Sequence, residues 1–224
     1  MNSSKSKHKK NLESACDYAA QQLMQADRDL YRLALYEKNI PRRRALIALW
    51  ALITDIEKIP YQITEPQMGI LRIKWWYDSI TKDQADQTLL LVALNDALSQ
   101  GFYNKDDLLA LIDYMQGEIT LHNHQDPAVL IDYIAEKGRF ISKVLEYKDH
   151  ATFIKITLLR GLHHYPHLWD NVTKSLQELT QAPTKEQDIY IKKSDYYAEL
   201  LIKNIKKDKP IALSVLNLIK LHFC

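Results

Sequence analysis

The acidic residues set the first question, because holding Mg²⁺ against a diphosphate takes several oxygen ligands that converge from helix faces. Asp55 and Glu57 lie two apart, and on a helix such residues point to opposite sides, so at most one of them faces a given cavity. Asp113 and Glu118 lie five apart and converge only loosely. Asp132 and Glu136 have the four-residue spacing that puts two side chains on one face, but isolated acidic pairs of this kind are usually solvated surface. Asp55, Glu57, Asp113 and Glu118 are the acidic candidates for catalysis, and they form no strong metal-carboxylate motif.

Histidines and arginines supply the remaining chemistry. His163 and His167 in "GLHHYPHLW" would meet across one helical turn, but Pro166 disfavours the helix that would join them. His122 and His124 read as loop residues. Arg42, Arg43 and Arg44 open a helix after Pro41, where exposed backbone N–H groups and guanidinium groups together could collect phosphate. The sequence contains no Gly-rich phosphate loop, nucleophile elbow or HExxH motif.

These residues need elements to position them, and the pattern reads as helix after helix. Only 5 glycines and 7 prolines punctuate 224 residues, which suits long helices and leaves too few turns for an all-β chain of this size. Apolar residues recur at three- and four-residue steps over 11–37, with a break expected at the charges of "ADRD". Further helices are expected over 42–59, over 65–80 ("EPQMGILRIKWWYDSI"), and over "DQTLLLVALNDALSQ", which stops at Gly101. "NKDDLLALIDYMQGEITLH" follows with Asn104 as its cap, then "DPAVLIDYIAEKGRFISKVLEY" with Asp126 capping and Pro127 in the first turn. "HATFIKITLLRGLHHY" is another, and two more are expected over 194–206 and 210–222. No period-2 strand pattern or internal repeat is present, so the fold class is all-α.

The formal net charge of +2 gives no general pull toward nucleic acid. Two cysteines, Cys16 and Cys224, make neither a disulfide framework nor a metal-ligand spacing, which fits a reducing compartment. "ALIALWALI" (45–53) falls far short of the roughly 20 residues that span a bilayer, so no transmembrane segment is expected. The basic stretch over 1–10 is expected to be a disordered tail.

The order "DRDLYRLALY…PRRRALIALWALITDIEKI…TEPQMGILRIKWWYDSI" closely resembles the N-terminal half of the squalene/phytoene synthase family. "LLALIDYMQGEI", "LIDYIAEKG" and "ITLLRGL" resemble the family's following helices, and the likeness fades after Pro166. It implies one helical domain over 11–224 around a central apolar cavity, with a divergent C-terminal third. It also implies substrate or diphosphate contacts at Arg42, Arg43, Arg72, Tyr133 and Arg160.

In active members, two aspartate-rich motifs hold Mg²⁺ against two prenyl diphosphates. Aligned on "ALWAL", the first motif's positions hold Glu57 and Tyr61 in this chain, with Asp55 out of phase. After Arg160, the residues Gly161, Leu162, His163 and His164 supply no carboxylate for the second. That pattern resembles a divergent branch associated with respiratory complex I assembly. The expectation is a non-catalytic assembly or scaffold protein that holds an isoprenoid or lipid, with no resident cofactor. The alternative is an active head-to-head prenyltransferase that requires Mg²⁺. A protein partner in respiratory-complex assembly, a prenyl diphosphate or lipid ligand, a cytoplasmic or mitochondrial-matrix-like compartment and peripheral membrane contact complete the expectations.

Overall fold

The computed structural model describes residues 2–82, 88–124, 126–147, 150–164 and 168. The described residues are mostly helical, with no strand among them. His167, Asp170, Cys224 and the helices expected over 194–206 and 210–222 lie outside them, as do the side chains of His163 and His164. Packing divides the chain into two compact units, Met1–Asn123 and His124–Cys224. The division falls in the "HNHQDP" segment.

The first unit holds eight described helices: α1 (Asn2–Ala26), α2 (Arg28–Ala34), α3 (Ile40–Glu57), α4 (Ile59–Gln62), α5 (Pro66–Thr81), α6 (Leu89–Ser99), α7 (Lys105–Tyr114) and α8 (Gly117–Leu121). Helix α1 reaches back to Asn2, through the stretch expected as a tail. The break at "ADRD" is present, and Asp27 makes it: its carboxylate accepts the Leu30 N–H at 3.0 Å and starts α2. Short polar side chains begin the later helices in the same way. Asn39 accepts from Arg42 N at 3.1 Å, Thr88 from Leu91 N at 3.2 Å, and Asn104 from Asp106 N at 2.9 Å.

Helix α3 is the centre of this unit. Every residue from Ala45 to Thr54 is buried, as are Ile56 and Glu57, so the helix is apolar on all sides and needs neighbours on all sides. Helices α1, α2, α4 and α6 supply them. Tyr103 ties the loop after α6 to this centre, its hydroxyl donating to the Ala45 carbonyl. That loop starts at Gly101, whose φ of 72° lets Phe102 N–H reach back to the Ala97 carbonyl at 3.0 Å.

One expected helix is two in the structure. "NKDDLLALIDYMQGEITLH" breaks into α7 and α8 around Met115 and Gln116, just ahead of Gly117, whose backbone freedom disfavours helix. Helix α5 packs on α4, α6, α7 and α8 through Gly69, Ile73, Trp76, Ser79 and Ile80.

The described part of the second unit is a helix pair, α9 (Pro127–Val144) and α10 (Ala151–His164). Asp126 accepts the Ala128 N–H at 2.9 Å, with Pro127 in the first turn as its sequence implies. The pair packs closely at Gly138, where an added Cβ would lie 2.7 Å from the Ile154 Cα.

Candidate functional site

The first unit carries seven of the nine candidate residues. Its arginines are already engaged. Glu37, 6% exposed, sits in the turn before α3, and its Oε1 accepts the Asn39 N–H at 2.8 Å. Its Oε2 lies 3.7 Å from Arg42 Nε, while Arg43 Nε donates to the Glu37 carbonyl at 2.7 Å. Arg42 and Arg43 thus converge on Glu37, Arg42 on its carboxylate and Arg43 on its backbone carbonyl. Arg72 is exposed on α5 and donates from Nη1 to Gln62 Oε1 at 3.0 Å, which links α5 to α4. Arg44 is exposed.

The four acidic candidates have different surroundings. Asp113 is exposed and accepts from Gln116 Nε2 at 2.6 Å, as an ordinary helix-surface pair. Asp55 is half-buried, whereas Glu57 and Glu118 are buried at 4% and 7% exposure. Glu57 ends α3 just before α4, and α4 packs against α8, which carries Glu118. The residues four further on, Tyr61 and His122, meet edge to face with ring centroids 4.5 Å apart. His122 therefore closes a contact where the sequence suggested only a loop. The contact arises from the packing of α4 on α8, which spacing within either segment does not reveal.

Among the described residues, no group of three or more His, Cys, Asp or Glu could hold a metal ion. Mg²⁺ demands a near-octahedral set of oxygens. Asp113 is spent on Gln116 at the surface, and Asp55 points about 200° around the helix from Glu57. The four described carboxylates do not fit the Mg²⁺ cluster that the sequence resemblance implies.

Tyr133 and Arg160 belong to the second unit. Tyr133 is buried on α9, with Lys137 Nζ 5.7 Å from its ring centroid, and Lys137 itself is 6% exposed. Arg160 is half-buried on α10. Sequence reading missed a contact between Ser142 Oγ and His150 Nδ1 at the C-terminal end of α9. The same Ser142 hydroxyl lies 2.8 Å from the Arg139 carbonyl, within reach of donating to it. Asp132 is exposed, and Glu136 pairs with Arg139 at the surface as expected of a solvated face.

The two adjacent tryptophans of α5 part company: Trp76 is 5% exposed and Trp75 37%. Trp75 lies about 100° around the helix from Trp76, on the outer side, and stands edge to face on its neighbour at 4.9 Å. Gly69 explains its place in the same segment, since a Cβ there would run into the side chains of Ile63 and Ile119. No family model, curated protein or solved structure matches the chain.

Proposed function

We propose that this chain is a squalene/phytoene synthase-like protein whose aspartate-rich motifs have degenerated, and that it works as a non-catalytic assembly or scaffold protein. In this reading it holds an isoprenoid or lipid among its helices without needing Mg²⁺ and serves respiratory-complex assembly in a reducing compartment. The observation that carries the reading is the fate of the charged candidates: Arg42 and Arg43 are bound to Glu37, Arg72 to Gln62, and Asp113 to Gln116. Groups that would grip diphosphates and metal are used to hold helices in place.

Ligand binding to the folded state alone raises its stability, by about 2.7 kcal/mol at a hundredfold excess over Kd. Thermal melts of the full chain with a prenyl diphosphate should rise equally in Mg²⁺ and in EDTA. A rise that requires Mg²⁺, or none with any isoprenoid or lipid, contradicts the reading.

The burial of Glu57 and Glu118 favours a second reading, an active Mg²⁺-dependent prenyltransferase. Asp113 stands against it, being at the surface and already hydrogen-bonded.

A further inference from the structure

Helix α5 carries two apolar faces, and only one of them is used inside the protein. Gly69, Ile73, Trp76 and Ile80 are buried, while Met68, Leu71 and Trp75 are 54%, 57% and 37% exposed. At 100° per residue, the three exposed side chains form a stripe about 60° wide along the outer face. Arg72 lies beside one edge of that stripe and Lys74 beyond the other, both exposed, while Asp78 lies between the stripe and Lys74 and sits 4.0 Å from Lys82. The Arg72 guanidinium is steadied there by Gln62. A tryptophan and two long aliphatic side chains between flanking cations match the anatomy of a helix that lies in the interface of a bilayer. Among the described residues, no helix is long and apolar enough to cross a membrane, so such a contact is peripheral.

We infer that the outer face of α5 docks on an anionic lipid surface, with Met68, Leu71 and Trp75 entering the headgroup boundary and Arg72 and Lys74 meeting lipid phosphates. Charge complementarity favours this occupant over a second copy, since Arg72, Lys74 and Lys82 outnumber Asp78 on this face and two such net-positive faces repel. The inference stands on α5 alone and not on the family reading, so either can fail without the other.

Vesicle flotation of the full chain tests it, with phosphatidylcholine vesicles against vesicles containing about one-third phosphatidylglycerol. The protein should float with the anionic vesicles and not with the neutral ones. Leu71→Glu should weaken that binding roughly tenfold, because it puts a charge into the apolar boundary. Lys74→Glu, at an exposed polar position, should weaken binding too, and it carries the test if Leu71→Glu disturbs the fold. Ile40→Glu replaces an equally exposed apolar residue on another helix and should leave binding unchanged. Failure of the wild-type chain to float, or flotation of both α5 variants as well as wild type, overturns the inference. So does a dimer in solution that Leu71→Glu converts to monomer, because the stripe would then be covered by a second copy.

Discussion

Tyr103 shows how one side chain can hold a loop to a core. It is 4% exposed, and its hydroxyl donates to the Ala45 carbonyl inside the most buried stretch of α3. Burial pushes the phenol's pKa well above its ordinary value, and a backbone hydrogen bond at Leu49 offsets part of that. The folded state then binds the proton more tightly than the unfolded chain. Its contribution to stability is complete below the unfolded pKa of about 10 and is lost as pH rises from there through the folded value. Denaturant titrations should therefore show the protein weakening above about pH 10. Tyr103→Phe should flatten that alkaline slope and cost about 1–3 kcal/mol at neutral pH, because the Ala45 carbonyl loses its side-chain donor. An unchanged slope would show that another group controls alkaline unfolding. By the same burial argument, the half-buried Cys16 thiol has its pKa raised, chiefly by desolvation, which makes it a poor nucleophile.

At the scale of elements, the α9–α10 pair is the sharpest case. An added Cβ at Gly138 would lie 2.7 Å from the Ile154 Cα and 2.8 Å from the Ile154 N, which are backbone atoms that cannot step aside. At Gly161 the nearest obstacle is the far end of the Ile134 side chain, at 2.7 Å, which can rotate away. Gly138→Ala should cost about 1–3 kcal/mol or more by overpacking. Gly161→Ala should come out near neutral, because about 0.8–1 kcal/mol of helix propensity offsets a side-chain adjustment. Thermal melts of the two variants measure the difference directly, and equal losses would contradict this account of the packing.

Helix starts were legible in the sequence because caps are local chemistry: Asn104, Asp126 with Pro127, and the "ADRD" break all announce themselves within a few residues. The outward position of Trp75 was not legible, because it depends on which neighbour a face meets and a single helix's pattern does not encode that. The split between α7 and α8 had a local signal in Gly117 that the helical periodicity around it masked.

For the whole molecule, the all-α class followed from few breakers and unbroken helical periodicity, and the described residues bear it out. The candidate site was less readable, because residue type does not reveal what a charge is bound to. "PRRR" looked like a phosphate grip until Glu37, just upstream, claimed Arg42 and Arg43. Glu57 and Glu118 were named from sequence, but their burial and the Tyr61–His122 contact beside them arise from the packing of α4 on α8. The account's central claim is that these residues serve architecture and not catalysis. Incubation of the full chain with geranylgeranyl diphosphate and Mg²⁺, or with farnesyl diphosphate, Mg²⁺ and NADPH as hydride donor, with extraction of the apolar products, tests it most directly. The account predicts no head-to-head hydrocarbon above the protein-free control. Squalene- or phytoene-type product that disappears in Glu118→Gln would contradict it and establish the chain as an enzyme.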